Sequence, residues 1–186
     1  MAVLYGVRQI RVQALQEDGS ADPSTSPVTS TQIQTINITP AYIDGMESTL
    51  RGGDGVTSII QEDDIFRGVN LSMNLATVEA ELKQIMVGGT YTADDQWEAP
   101  VNDDEMPYPY HLEVWQQNYT ESDSESTADG FIKHDFYFCK RGRLGGKDMD
   151  QQAFSVENYT CEARRNESDP SDIQPAWEHD IVASIV

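Results

Sequence analysis

Lysine is scarce in this chain, which has only Lys83, Lys133, Lys140 and Lys147. Acidic residues outnumber lysine and arginine by 32 to 12, which gives a net charge of −20. Such a surface repels phosphates, which argues against a protein that binds DNA or RNA. Many carboxylates with few lysines also keep a protein hydrated in concentrated salt, so a salt-adapted host is one hypothesis. An acidic protein from an ordinary host is the alternative.

Cysteine and histidine are also rare. The two cysteines, Cys139 and Cys161, are too few for a disulfide scaffold and lie in no CxxC motif. A bridge between them is possible only if their strands are neighbours. No histidine has a second His or Cys at metal-ligand spacing. His111 and His134 could face each other across predicted strands, but we expect surface histidines and no metal or other cofactor.

Long apolar runs are absent. No stretch is apolar enough to cross a membrane, and the first residues, MAVLYGVRQIRV, lack the apolar region of a signal peptide. We therefore expect a protein made in the cytoplasm that has no membrane partner.

Signatures of catalysis are missing as well. No serine lies in a GxSxG motif, and the glycine-rich stretches RGGDG and GRLGGK lack the endings of phosphate-binding loops. The acidic clusters do not have the residue order of a calcium loop. Carboxylate pairs are so plentiful that they do not indicate a glycosidase, and a hydrolase is only a third interpretation. We expect no enzymatic activity.

The clearest structural signal is the stretch DIFRGVNLSMNLATVEAELKQIMVGG, residues 64–89. Ile65, Val69, Leu71 and Met73 fall on alternate positions, with Arg67 interrupting the series, and this pattern predicts a half-buried strand. From Leu75 the apolar spacing becomes helical, which predicts an amphipathic helix over about 74–87. We expect Asn74 to cap this helix and Gly88-Gly89 to end it in a left-handed conformation. Its apolar face should pack on a sheet.

Alternating apolar residues predict strands on both sides of this module. The first strand should cover 4–15, and the next should cover 31–39 with a bulge and end at Pro40. Residues 41–58 are rich in glycine and aspartate and predict a long exposed loop. Later strands follow a polar hairpin tip, and we expect Phe136 and Phe138 on one face.

The predicted fold class is therefore mainly β, with some α. Two packed antiparallel sheets form a β-sandwich or partial barrel, with one flanking helix, long loops and terminal arms, in a single domain over 1–186. The C-terminal arm covers about 166–186. Its apolar end, IVASIV, should pack on the domain or on a neighbouring subunit.

Basic residues are concentrated late in the chain, where seven of the twelve lie between 131 and 165. They are Lys133, Lys140, Arg141, Arg143, Lys147, Arg164 and Arg165. A basic patch on an otherwise acidic protein could pair with the acidic surface of another copy. An ordinary surface patch is the alternative.

The order of these elements resembles that of the major tail proteins, the tail tube subunits of tailed viruses. The similarity covers nearly the whole chain as a pattern of arrangement: early strands, a glycine-rich loop, a strand and helix ending in Gly-Gly, and then further strands. It implies hexameric rings that stack into a hollow tube. In that family the inner sheets of six subunits join into one barrel, and a loop between early strands reaches the adjacent ring.

The resemblance also implies roles for particular residues. The inter-ring loop, at 41–58, would use Asp44, Gly45, Leu50, Arg51 and Asp54. Acidic residues of the lumen would be Glu62, Asp63 and Asp64. Basic residues of the subunit interface would be Lys140, Arg141, Arg143 and Lys147. A lumen lined by carboxylates would repel DNA over a Debye length of ~10 Å at 0.1 M salt.

The partners implied by the resemblance are copies of this chain and other tail proteins, namely the tape measure, the terminator and the baseplate or tip. Viral DNA would pass through without specific binding, and the protein would reside in the virion tail after assembly in the host cytoplasm. The alternative function is that of a β-sandwich binding module, a capsid decoration or carbohydrate-binding protein. Its ligand or capsid contacts would come from Trp97, Trp115 and Trp177.

Overall fold

The computed structural model describes residues 2–45, 47–52, 55–61, 63–76, 79–92, 96–101, 108–121, 126–145, 156–167, 171 and 173–185. Within these ranges the side chains of 2–5, 47–52, 55–61, 92, 96, 119–121, 126–129 and 141 are not described. The strands are β1 (Ala2–Ala14), β2 (Val28–Ser30), β3 (Ile33–Ile43), β4 (Glu47–Gly52), β5 (Gly55–Gln61), β6 (Ile65–Leu75), β7 (Thr90–Thr92), β8 (Gln96–Glu98), β9 (Tyr110–Glu121), β10 (Ser126–Leu144), β11 (Glu157–Arg164) and β12 (Glu178–Val182). The helix α1 (Ala80–Val87) follows β6.

One large antiparallel sheet forms the body of the molecule, with strand order β2-β1-β9-β10-β11-β6-β3. Its end strands β2 and β3 are close in sequence, and β3 also approaches β1, so the sheet curls around a common core. The sheet is not closed into a barrel. The small sheets β4-β5 and β7-β8 are separate from it. The predicted fold class, mainly β and antiparallel with one flanking helix, is confirmed.

The long strand β10 shares one of its edges between two partners. Its second half, Phe138–Leu144, pairs with β11. Its first half, Phe131–Asp135, pairs with β12. Part of the predicted C-terminal arm, Glu178–Val182, therefore pairs as a strand with its own domain, although the side chain of Ile181 is 75% exposed.

The alternation of apolar residues in β6 places its inward side chains in the core. Val69, Leu71 and Met73 are buried, as predicted, and Leu75, which was predicted to belong to the helix, is buried with them. The inward position predicted for Ile65 is wrong, because this residue at the start of the strand is 65% exposed. Burying one such side chain contributes roughly 1.5–3 kcal/mol. The same core receives buried side chains from β1, β9, β10, β11 and α1.

The helix begins at Ala80, so the predicted start at Asn74 is wrong. Leu75 still belongs to β6, because it pairs with Ile33 on one side and Glu157 on the other. The side chain of Asn74 does not cap a helix; its Nδ2 donates a hydrogen bond to Thr35 Oγ1 at 2.9 Å. The predicted end is confirmed, since α1 ends at Val87 and Gly88 and Gly89 follow with positive φ of 90° and 89°. The ψ of Gly88, −166°, differs from that of the left-handed helical conformation expected there.

A buried ion pair fastens α1 to the sheet. Lys83 Nζ lies 2.7 Å from Glu157 Oε1, and both side chains are buried. The other carboxylate oxygen accepts a hydrogen bond from the Tyr159 hydroxyl at 2.5 Å. The last turn of α1 also lies against β10 at Gly142, where any Cβ would overlap the carbonyl oxygen of Met86. Helix and sheet are therefore in close backbone contact.

The segment predicted as a loop at 41–58 is more regular than expected. β3 continues through Pro40 to Ile43, because at the edge of the sheet a missing N–H breaks no ladder. A register shift between Ile33 and Thr35 confirms the predicted bulge. Beyond β3 the chain forms the β4-β5 hairpin, which pairs with no strand of the large sheet among the described residues.

A second bulge corrects the prediction for Phe136 and Phe138. The pairing of β10 with β9 shifts between Phe136 and Cys139. Phe136 and Cys139 are both buried in the core, whereas Phe138 pairs with Arg164 on the opposite face. The two phenylalanines therefore lie on different faces of the sheet.

The two cysteines lie on the neighbouring strands β10 and β11. Both are buried free thiols, so the bridge that the sequence left open is not formed. Burial raises the pKa of Cys139. Among the described residues no helix has the length and apolar character needed to cross a membrane.

Candidate functional site

The face of the sheet opposite the core carries two groups of charged side chains. The first, which we call the ion-pair network, consists of Arg11, His111, Glu113, Lys133 and Asp135. These residues lie on β1, β9 and β10, and Glu113 is paired directly with both Arg11 and Asp135. They project outward because they alternate with core residues such as Leu112 and Val114.

Every member of the ion-pair network has an oppositely charged or hydrogen-bonding neighbour. Lys133 Nζ lies 3.0 Å from Glu113 Oε1 and 3.0 Å from Asp135 Oδ1. Arg11 Nη1 is 3.5 Å from Glu113 Oε2, and His111 Nε2 is 3.2 Å from Asp135 Oδ1. Asp135 is only 2% exposed. The network is therefore compact and internally satisfied.

The charges of the network reinforce one another. Burial acts to raise the pKa of Asp135, but the hydrogen bonds from His111 and Lys133 outweigh it and hold that pKa below its ordinary value. Burial likewise acts to lower the pKa of Lys133, and its bonds to Glu113 and Asp135 outweigh that effect and raise the pKa. Both partners are therefore held in their charged forms.

Three of these residues have the right atoms for a metal ion. One ligand atom each from His111, Glu113 and Asp135 lie within 4.8 Å of one another. However, the ammonium group of Lys133 is already at 3.0 Å from both carboxylates, where it supplies the balancing positive charge. A metal ion would have to displace it, so the arrangement favours a structural role.

His111 and His134 do not face each other, so that sequence-based possibility is wrong. His134 pairs with Val114, whose side chain is in the core, and it therefore lies on the core face. There it accepts a hydrogen bond from Trp177 Nε1 at 3.3 Å. Burial, followed by the nearby His179, lowers the pKa of His134.

The second charged group lines a groove of about 740 Å³, which we call the basic groove. Its cationic residues are Arg67, Lys140, Arg164 and Arg165. Its apolar walls are formed by Ile65, Phe66, Phe138, Pro175 and Ala176, and Asp18, Asn166 and Glu167 complete it. The volume is in the range of ligand-binding clefts.

The local structure explains how the basic groove forms. Arg67 comes from the start of β6, and Arg164 lies at the end of β11, the neighbouring strand. The bulge in β10 turns Phe138 out of the core and beside Lys140, whose ammonium group lies 4.7 Å from the ring centroid. The groove therefore combines guanidinium groups with an aromatic surface, which is a favourable setting for carboxylates.

The cations of the basic groove are only partly neutralised. Glu162 lies 3.2 Å from Arg67 Nε and 3.1 Å from Arg164 Nη2, so one carboxylate serves two arginines. Arg165 pairs with Glu167. Lys140 makes no ion pair with any residue that the structure describes. The four cations of the groove outnumber the carboxylates of Asp18, Glu162 and Glu167, which is unusual in a chain of net charge −20.

An exposed apolar cluster lies next to the β4-β5 hairpin. It consists of Tyr42 and Ile43 at the end of β3, and Ile65 and Phe66 at the start of β6. The rings of Tyr42 and Phe66 meet edge to face with centroids 5.7 Å apart. Contiguous exposed apolar residues of this kind are typical of interaction sites.

The residues predicted for the inter-ring loop and the lumen lie near this cluster or outside the described residues. Asp44, Asp63 and Asp64 are exposed, and the backbone N–H of Gly45 donates to Asp64 Oδ1 at 2.9 Å. Leu50 and Arg51 belong to β4, and their side chains are not described. Asp54 and Glu62 lie outside the described residues.

The residues predicted for the basic interface are divided. Lys140 lines the basic groove, whereas Arg143 is exposed beside a separate polar concavity of about 360 Å³. The side chain of Arg141 is not described, and Lys147 lies outside the described residues. Sequence reasoning missed Arg67 and Phe66. The sequence placed both residues at the start of a predicted strand, but it did not indicate that β11 would be the neighbour of that strand.

The three tryptophans do not form a common platform. Trp115 is buried, and Trp97 donates a hydrogen bond to the carbonyl oxygen of Gly88 at 2.8 Å. Trp177 stacks on Phe136 with ring centroids 6.3 Å apart. Each indole therefore has a structural contact within the fold.

Neither a comparison with protein-family models nor a search of curated proteins finds a match for this chain. Three features of the molecule bear on its function: the open edge of the sheet at β3, the exposed apolar cluster and the basic groove.

Proposed function

We propose that this protein is a structural subunit that assembles with copies of itself into rings and then into a tube, as the tail tube subunits of tailed viruses do, and that it has no catalytic role. The observation that carries the proposal is the open edge of β3, which ends in the exposed apolar cluster Tyr42, Ile43, Ile65 and Phe66. Both features are unfavourable in a monomer and favourable in an assembly.

The edge of β3 is long, and part of it approaches β1 without pairing with it. β3 has eleven residues, and within the described chain its only hydrogen-bonded neighbour is β6. Such an edge offers unpaired N–H and C=O groups to another chain, and closure of sheets across subunits satisfies them. Tyr42 and Ile43, the members of the apolar cluster that lie on β3 itself, would be covered by the same contact.

The β4-β5 hairpin supports a role in stacking. It pairs over Glu47–Gln61 as a sheet of its own and occupies the place in the chain expected for the inter-ring loop. An element that is not part of the large sheet is suited to contact a neighbouring ring. The exposed carboxylates Asp44, Asp63 and Asp64 lie beside it.

The charge of the chain is consistent with a conduit for DNA. A channel wall that carries carboxylates repels phosphates within about a Debye length, which is ~10 Å at 0.1 M salt. The net charge of −20 therefore disfavours binding of DNA but is compatible with its passage.

Imaging of the purified protein by negative-stain electron microscopy tests this proposal directly. We expect tubes or six-fold rings in the wild type. Replacement of residues 47–61 by a short glycine-serine linker should abolish tubes while circular dichroism shows that the β fold is retained. Wild-type protein that stays monomeric over a range of salt and protein concentrations would contradict the proposal. A monomer that also binds glycans would favour the binding module.

A further inference from the structure

The basic groove is built to receive acidic side chains together with apolar ones. Its arginines each have five N–H donors, and the ion pairs to Glu162 and Glu167 use only some of them. Lys140 contributes a further ammonium group beside the ring of Phe138. Ile65 and Phe66 supply exposed apolar surface along the groove.

One stretch of this chain has the complementary chemistry. Residues 101–108, VNDDEMPY, place three consecutive carboxylates between two apolar residues. Those two residues are strongly exposed, Val101 at 85% and Tyr108 at 62%. Pro100 and Pro107 flank the three carboxylates in the sequence, and the restricted backbone of proline lowers the entropic cost of binding for a peptide of this composition.

Charge makes the pairing selective. Two copies that each carry −20 repel each other unless a positive surface of one meets a negative surface of the other. The basic groove has four cations against the carboxylates of Asp18, Glu162 and Glu167, and the stretch 103–105 supplies three consecutive anions. Apolar contacts from Val101 and Tyr108 would add a part of the affinity that salt does not screen.

We infer that the basic groove binds the acidic stretch 101–108 of a second copy of this chain. This inference rests on the self-association that the proposed function requires, and it adds which two surfaces meet. Because the groove and the stretch are different surfaces, the contact is head-to-tail and can repeat from subunit to subunit. A ring forms if the rotation between neighbours closes.

A peptide covering residues 99–110 tests the groove directly. Fluorescence anisotropy should detect binding of the labelled peptide to the wild-type protein, and a peptide with Asn at both aspartates and Gln at Glu105 should bind at least tenfold more weakly. A groove variant, Lys140→Glu with Arg165→Glu, should lose at least tenfold in affinity for the original peptide. Arg8→Glu, an exposed charge reversal on β1, is the matched control and should bind as the wild type does. Circular dichroism checks that each variant folds.

Mixing two defective proteins tests whether the contact is between copies. A stretch variant, Asp103→Lys with Asp104→Lys, keeps an intact groove, and the groove variant keeps an intact stretch. Both variants are made in the protein in which the linker replaces residues 47–61, so that tubes do not form. Size-exclusion chromatography with light scattering should then give a lower molecular mass for each variant alone than for their equimolar mixture. The mixture should contain a one-to-one complex that neither protein forms alone.

Three results would overturn the inference. The first is the absence of peptide binding to wild type and to the stretch variant. The second is peptide binding to the stretch variant alone, with no complex in the mixture, because the stretch then occupies the groove of its own chain. The third is assembly of the groove variant into tubes like those of the wild type. This result would contradict the groove contact but would agree with the proposed tube. Conversely, a one-to-one complex from a protein that never forms rings or tubes supports the groove and contradicts the tube.

Discussion

The ion-pair network and the basic groove lie on the same face of one sheet, yet they differ in burial and in charge balance. In the network, Asp135 is buried and Lys133 lies 3.0 Å from each of two carboxylates. In the groove, Glu162 serves both Arg67 and Arg164, and Arg165 is exposed. The charged groups of the network are paired with one another, whereas the arginines and the lysine of the groove retain N–H donors that a bound partner could use.

This difference separates structural charge from charge that is available for binding. Removal of one member of a buried pair leaves its partner uncompensated, which costs several kcal/mol. Exposed ion pairs contribute about 0–1 kcal/mol because solvent and salt screen them. The network should therefore affect stability, and the groove should affect association.

The largest effect should come from Lys83. Its ion pair with Glu157 is more deeply buried than any pair of the network or the groove among the described residues. Lys83→Met leaves Glu157 buried without its cation, and we expect a loss of about 3 kcal/mol in the free energy of unfolding. Urea denaturation measures this loss. The double variant Lys83→Met, Glu157→Gln should regain much of it. A loss below about 1 kcal/mol in the single variant would show that the pair does not fasten α1.

The next effect is that of Asp135, the buried acid of the ion-pair network. Asp135→Ala removes the acceptor for both His111 and Lys133, and we expect a loss of about 2 kcal/mol in the free energy of unfolding. The matched surface change Asp63→Ala should stay within about 0.5 kcal/mol, and so should Arg165→Glu in the groove. If Arg165→Glu destabilises the fold as much as Asp135→Ala does, the proposed distinction between the two regions is wrong.

The smallest effect is a dependence of stability on pH. The folded pKa of Asp135 lies below its ordinary value of 3.8, so its contribution is present above about pH 4 and is lost as the pH falls through the folded pKa. The pKa of Lys133 is raised above 10.5, so its contribution persists below that value and is lost at higher pH. Urea denaturation between pH 2.5 and 7 should show that the free energy of unfolding of the wild type rises with pH. Asp135→Asn should make this rise less steep, by less than about 1.4 kcal/mol per pH unit. Identical slopes in both proteins would contradict the assignment.

Local patterns in the sequence were sufficient for much of the fold. The alternation from Val69 to Met73 correctly predicted the inward face of β6, and Gly88-Gly89 correctly predicted the end of α1. The start of the helix was wrong because Asn74 is a good cap in isolation, whereas pairing with two neighbouring strands extends β6 to Leu75. Tertiary pairing overrode a local preference.

The basic groove depends on information that local patterns do not contain. The late cluster of basic residues predicted a patch that included Lys140, Arg164 and Arg165. Arg67 joins them only because β6 pairs with β11, and Phe138 joins them only because of a bulge that the alternation in HDFYF does not reveal. The neighbours of a strand are set by the whole sheet, so the groove could not be assembled from the sequence alone. The tube itself stays a prediction.

The pairing of β1 with β9 sets the order in which this chain can fold. Val12 pairs with Leu112, so the pairing of these two strands closes a loop of about one hundred residues. During synthesis the apolar side of β1 must wait until β9 has left the ribosome, and such distant pairings fold slowly. A fragment that stops before Tyr110 should therefore be insoluble or bound by chaperones, even though it contains eight of the described strands and the helix α1.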